Sequence, residues 1–378
     1  MSEHQVVAFR AIDGPVSTKD LKFMQKQSSR AEITPWTFDN EYDYGDFHGD
    51  AEEMLRRGYD LHLHYANFGT RTLMIRLPNG LPDKKASAPY LTADGVQFVK
   101  DKQGAGGILS ISPFHEPGEL DEIWEFDELL EELLPLRAEI LNGDLRPLYL
   151  AHLAMACDQN HPRDKTKEAP VPAGLEKLTP AQTALAELYE IGDYLIEAAA
   201  QQSPPLPSED EPRTDYAGWL EGQPTQKKDE WLAQLMSDPN SSIRKEILAK
   251  FRQSAEVSVW PTVPASRTIA ELLATEADLF KKAKQKKDKA AELARARKKA
   301  AMAADPAPTL LETERLAAIG GTDSFNQTAT LLAELRDAIR GTTHDGLAEL
   351  QAAKLRDTHP TMSRLIAALR RQGFLPKK

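Results

Sequence analysis

Apolar and polar positions alternate with a period of two along residues 59–77, YDLHLHYANFGTRTLMIRL, and the alternation predicts a half-buried β-hairpin turning at residues 67–70. Successive strand side chains point to opposite faces. Leu61, Leu63 and Tyr65 therefore share one face with Leu73, Ile75 and Leu77, while His62, His64 and Arg76 fall on the other, opposite the expected core. Upstream, residues 6–12 read as a first strand, Ser17 with Asp20 opens a helix through residue 28, and a second strand crosses residues 32–42. Asp50 followed by Glu53 caps a two-turn helix that Gly58 ends. The order β-α-β-α-β-β predicts a small open sheet with helices on one side. Residues 91–99 and 108–111 add two strands across a turn at 102–107. That turn holds Gly-Ala-Gly-Gly but leads into a strand, whereas a phosphate cradle needs a helix N-terminus.

From residue 119 the texture turns helical. Leu129, Leu130, Leu133 and Leu134 line one face of an acidic helix, Pro135 begins the next, Asn142 and Gly143 stop it, and Pro147 starts a helix through Cys157. Residues 159–174 read as a proline-containing linker, 181–200 as helix, and 203–213 as a second, extended linker before several short helices to 255. The longest periodic element runs over residues 266–303 and would reach roughly 55 Å at ~1.5 Å per residue. Helices at 310–319, 324–340, 345–356 and 361–372 complete a small terminal bundle. The fold class is α+β. We expect a mixed domain at 1–115, a helical domain at 119–255, the long basic helix at 266–303 and the bundle at 309–378.

Composition narrows the picture. The 378 residues carry a formal net charge of −11, which argues against a dedicated nucleic-acid coat or membrane-surface protein while leaving room for a local basic patch. A single cysteine, Cys157, excludes a disulfide framework and fits a reducing compartment. The N-terminus has neither a cationic nor an apolar leader segment, and no apolar run approaches the ~18 residues of a membrane span. A cytoplasmic protein with no membrane association and no cofactor is expected.

Two stretches carry candidate chemistry. His62 and His64, two apart on one strand, can present two imidazoles to one metal ion, with His48 as the candidate third ligand and Asp46, Asp50 and Asp60 also near in sequence. A metal-dependent hydrolase centred on the pair is the reading this permits; hydrogen bonding to neighbours is the plainer one. Immediately upstream, Phe38, Asn40, Tyr42 and Tyr44 alternate with Asp39, Glu41 and Asp43, the pattern of an aromatic face backed by a solvated acidic edge. Trp36, Tyr42, His62, His64 and Arg76 are thus the expected protein-partner surface. The second stretch, residues 281–300, sets ten cations against Asp288 and Glu292, a net +8. Lys281, Lys282, Lys284, Lys286 and Lys287 could grip a phosphate backbone, or simply be a solvated helix. A heptad frame from Ile269 to Ala300 suggests a coiled coil but is interrupted by Glu276, Lys286 and Arg297.

The segments AEEMLRRGYDLHLHYANFGTRTLMIRLPNGL, LLPLRAEILNGDLRPLYLAHLA, RTIAELLATEADL, TLLAELRDAIRG and LIAALRRQGF resemble a widespread family of bacterial proteins without an established activity. The tail is similar to the end of some bacterial SWIM-zinc-finger proteins, yet the chain has no Cys-x-Cys to hold that finger. The resemblance implies a bacterial cytoplasmic protein and assigns no catalytic residue. With no complete catalytic motif in the chain, a non-catalytic interaction or scaffold protein is the leading expectation. A metal-dependent hydrolase and a nucleic-acid-associated factor are the alternatives.

Overall fold

In the computed structural model, which describes residues 4–43, 45–92, 95–115, 123, 125–157, 165–206, 216–237, 243–254, 259–264 and 266–376, the chain divides into two compact units at Leu279 and Phe280. The first unit is built on an antiparallel seven-stranded sheet. Its elements are β1 (Gln5–Arg10), α1 (Thr18–Met24), β2 (Glu32–Ile33), β3 (Thr37–Tyr42), α2 (Ala51–Arg57), β4 (Leu61–Ala66), β5 (Thr70–Leu77), α3 (Lys84–Ser87), β6 (Val96–Lys100) and β7 (Gly107–Ile111), in sheet order β2-β3-β1-β4-β5-β7-β6. The caps fall where the sequence places them: Ser17 accepts from the Asp20 amide, and Asp50 from the Glu53 amide.

The β4–β5 hairpin keeps the expected register, Leu63 opposite Leu73 and Ala66 opposite Thr70, with Gly69 at φ 108° in the turn. Its apolar face packs into one large core with α4 (Phe126–Leu133), α5 (Leu136–Leu141), α6 (Arg146–Cys157), β8 (Val171–Pro172), α7 (Pro180–Leu188) and α8 (Asp193–Ala200). The face carrying the histidines is covered as well. Val7, Phe9, Met24, Phe38, Met54, Leu55 and Tyr59 form a second core there, beneath α1 and α2. Helices on one side only is therefore corrected to helices on both. Alternation marks which residues share a face; it does not reveal whether the polar face meets water or another element.

Three further expectations change. The strand anticipated at 32–42 is two strands folded back at residues 34–36, where the Thr34 hydroxyl accepts from the Trp36 and Thr37 amides. The linker anticipated at 159–174 enters the core over 165–174: Glu168, Ala169, Val171 and Ala173 are buried. Here β8 pairs with β9 (Thr262–Val263), the one pairing of named strands beyond residue 120 among the described residues. The boundary near residue 115 is absent, because the sheet and the following helices share one core. α9 (Tyr216–Glu221), α10 (Thr225–Ser237) and α11 (Ile243–Ser254) complete this unit around Trp219, Trp231 and Phe251.

α12 (Ile269–Ala304) is the long helix. Ile269 and Leu272 are buried in the first unit and Met302 in the second. α13 (Ala307–Ile319), α14 (Thr322–Ile339), α15 (Leu347–Thr358) and α16 (Ser363–Arg371) form the second unit. α14 buries Phe325, Ala329 and Leu332 against Leu355, Leu365 and Leu369 among others, and Leu335 and Ile339 against Met302 and Ala348. No helix among the described residues is long and apolar enough to cross a membrane.

Candidate functional site: a carboxylate-rimmed cleft and a bare cationic helix

The residues expected to form one partner surface are not gathered on one. Trp36 lies in the β2–β3 turn, 39% exposed, its carbonyl accepting from the Ala11 amide at 2.8 Å. Tyr42 is half-buried at the end of β3, against the second core. Arg76 donates to the Gly107 carbonyl at 2.7 Å and to Asp101 Oδ2 at 2.6 Å, pinning β5 to the β6–β7 turn. In that turn, Gly104 is required by its φ of 83°, and Gly106 and Gly107 by close approach. A Cβ on Gly106 would stand 2.6 Å from the Pro78 carbonyl oxygen, and one on Gly107 would stand 2.4 Å from the Phe98 ring.

His62 is only 2% exposed and stacks on Phe9 with ring centroids 4.1 Å apart. Its Nδ1–H donates to the Ala8 carbonyl at 3.1 Å. Burial, and then the neighbouring His64, lower its pKa to about 3, so it sits neutral. His64 approaches Gln5 Oε1 at 2.9 Å through Nε2. The Gln5 amide is oriented by donating its own hydrogens to the Gly45 carbonyl and to Asp46 Oδ1. Burial lowers the His64 pKa too, with Asp46 opposing. The His62 and His64 rings are 6.4 Å apart, and His48 stands in the segment before α2, on a shallow hollow of about 430 Å³ with Asp46. The expected ligand set His48, His62 and His64 is corrected on this point: among the described residues no three of His, Cys, Asp and Glu converge to hold a metal ion. The strand pair satisfies the imidazoles from within the sheet.

Sequence reading missed a buried ionic cluster in the loop after β1. Arg137, 2% exposed on α5, donates to Asp13 Oδ2 at 2.8 Å, lies 3.0 Å from Asp60 Oδ1, and donates through Nε to the Arg76 carbonyl. Asp60 Oδ2 accepts from the Ile12 and Asp13 amides. From α11, Arg252 grips both oxygens of Asp13, Arg244 donates to the Ile12 carbonyl, and Lys245 to the Gly58 carbonyl. Burial would raise the Asp13 pKa, but the two arginines prevail and hold it well below the usual carboxylate range. Every oxygen in the cluster is engaged, which makes it a clamp joining loop, α5 and α11. The partners lie 124 and 239 positions apart, so no local pattern announces them.

Two surfaces concentrate charge that makes few ion pairs among the described residues. The first is a cleft along α4. A cavity of about 600 Å³ has Val6, Tyr65, Ile123 and Phe126 among its apolar lining and Glu41, Asp43, Glu125, Asp127 and Glu128 at its rim. It continues on one side into a hollow of about 580 Å³ bearing Glu132 and Glu187, and on the other into one of about 630 Å³ bearing Glu32 and Asp39. Arg10 neutralises Asp39 and Glu131, and His4 approaches Asp43 at 3.4 Å; among the described residues Glu41, Glu125, Asp127 and Glu128 make no ion pair. The second surface is α12, exposed at every position from 284 to 301. Of its ten cations between 281 and 300, Lys298 pairs with Glu334 at 2.6 Å, and the other nine have no ion pair among the described residues. The lysines 281, 282, 284, 286 and 287 are exposed, as expected.

The charge asymmetry extends to whole units. Residues 1–279 hold 27 Lys and Arg against 47 Asp and Glu, a net −20, whereas residues 280–378 hold 20 against 11, a net +9. Comparison of the chain with models of protein families, with curated proteins and with solved structures finds no match.

Proposed function

We propose that this chain is a non-catalytic assembly protein of the bacterial cytoplasm that engages an acidic protein partner through the bare stretch of α12. The observation that carries this reading is an eighteen-residue run, 284–301, exposed on all sides and almost unpaired in charge among the described residues. Exposed single helices of that length are marginal in water unless composition sustains them. Here it does: every residue of 281–304 except Asp288 is Ala, Lys, Arg, Gln, Glu, Leu or Met, the strongest helix formers. Leu293, more than half exposed, adds an apolar anchor beside the cations.

The nucleic-acid reading draws on one feature of its own: the cations are spread around the whole helix circumference, so no side is reserved for packing. A helix that neutralised three phosphates would show a slope near −2.7 in log affinity against log salt, by the ~0.9 per phosphate rule. The hydrolase alternative has no convergent ligand set among the described residues to rest on.

Photo-crosslinking in living cells separates these readings. A benzophenone side chain at Gln285 or Leu293, both exposed, is expected to yield protein adducts that vanish when lysines 281, 282, 284, 286 and 287 are changed to glutamine. Adducts to nucleic acid alone would replace the assembly reading with the second one.

A further inference from the structure

We propose that the partner of α12 is a second copy of this chain, whose α4 cleft receives the cationic stretch. The proposal rests on the assembly reading and names its partner. Both halves of a complementary contact are present in one sequence: a net −20 unit with an open, carboxylate-rimmed cleft and a net +9 unit with a bare cationic helix. The cleft is more than a run of acids. Val6, Tyr65, Ile123 and Phe126 give it an apolar lining, with Tyr65 fixed by accepting from the Ile123 amide at 3.1 Å. A helix bearing the exposed Leu293 among its cations matches that mixture of apolar lining and anionic rim. A polyphosphate would meet the cations equally well but leave Leu293 unused.

The contact would be heterologous, since the surface given differs from the surface received. Such contacts close into rings or reciprocal pairs when the geometry permits and otherwise run on into filaments. Rim pairs of this kind steer association and set its salt dependence. Four rim carboxylates that make no ion pair among the described residues, Glu41, Glu125, Asp127 and Glu128, face the incoming charge.

Charge reversal on the 378-residue chain tests this. One variant carries Glu125→Lys, Asp127→Lys and Glu128→Lys; the other carries Lys281→Glu, Lys284→Glu and Lys287→Glu. Sedimentation velocity of the parent protein at about 50 mM salt should show mass rising with concentration, and at about 500 mM salt an association at least about tenfold weaker. Each variant alone should remain a monomer, and an equimolar mixture should associate again, because the unaltered rim of the helix variant meets the unaltered helix of the rim variant. Circular dichroism identifies a misfolded variant, and the milder Glu125→Gln with Asp127→Asn then takes its place with partial loss expected. A parent protein that stays monomeric at low salt, or variants that associate as the parent does, would overturn the proposal. If photo-crosslinks in cells then still join α12 to another protein, the assembly reading survives with a different partner. If they join it to nothing, both fail.

Discussion

Arg137 and the cations of α12 carry the same charge in opposite settings. Arg137 is almost wholly enclosed and meets two carboxylates and a carbonyl within 3.0 Å. Nine of the ten cations between 281 and 300 meet no carboxylate among the described residues. A buried guanidinium must have its partners, because an enclosed charge left alone is strongly unfavourable. An exposed ammonium is already solvated, and a neighbouring carboxylate adds little. The first unit uses charge to fix its own chain, and the second displays charge that its own fold does not consume. The display is what directs attention to a partner.

The largest expected effect comes from breaking the enclosed set. Arg137→Leu removes the counter-charge of Asp60 and half the partners of Asp13, and should destabilise the first unit by about 3–5 kcal/mol in urea denaturation. Adding Asp60→Asn should restore part of that loss, since it withdraws the stranded charge. A cost below about 1 kcal/mol would mean that water enters the cluster readily, and the contrast with α12 would narrow.

A buried group that stays neutral sharpens the same contrast. The His62 pKa is held to about 3 by burial, while an unfolded imidazole titrates near 6.5. Between those values the unfolded chain binds more protons, so stability is complete above about pH 6.5 and falls as the pH drops toward 3. At pH 4.5 His62 alone should cost on the order of 2–3 kcal/mol relative to pH 7, with His64 adding in the same direction. His62→Gln, whose amide can still donate to the Ala8 carbonyl, should make urea midpoints fall less steeply over that range. An unchanged pH profile would show that the imidazole is solvated.

How much of this was legible follows from the distance over which each feature is encoded. The hairpin register, the Ser17 and Asp50 caps, the long helix and the terminal bundle rest on residues within a few turns of one another, and they match the sequence pattern closely. The lysine run was legible for the same reason: a solvated face needs no distant partner. Arg137 reads like any other helical arginine, because Asp13 and Asp60 become its neighbours only when the chain folds. An H-x-H spacing puts both histidines on one strand face, but nothing in it shows that α1 and α2 cover that face. The cleft escaped because α4 meets β1 and β3 across the fold, although Glu41, Asp43 and the acidic helix were each visible separately.

A smaller effect probes what holds the bare helix together. Ala291 lies in the fully exposed run, so Ala291→Gly should cost only the propensity difference, about 1 kcal/mol, and be felt locally. Ala329, 1% exposed on α14, loses a packed methyl in addition. Ala329→Gly should therefore lower the cooperative transition of the bundle measurably, whereas Ala291→Gly should speed amide exchange around 284–301 and leave that transition in place. Equal global effects would mean that 284–301 is packed in solution, as a self-associated helix would be, and repeating the measurement at high salt would then separate the two cases.

The smallest effect on stability should accompany the largest effect on association. Changing lysines 281, 282, 284, 286 and 287 to glutamine removes five exposed charges that make no ion pair among the described residues, and glutamine sustains a helix nearly as well as lysine. It also removes repulsion between like charges four apart, such as Lys282 with Lys286, an unfavourable contact of a few tenths of a kcal/mol per pair in isolated helices. The two changes nearly cancel, so the thermal midpoint should move by less than about 2 °C. Helicity should be less sensitive to added salt, which in the parent screens that repulsion. Scanning calorimetry alongside sedimentation of the same samples reads both quantities. A midpoint that falls with the loss of association only at high protein concentration would show that the copies stabilise one another by mass action. A large fall at all concentrations would mean that the lysines hold the fold itself, and the contrast between enclosed and displayed charge would fail at its displayed end.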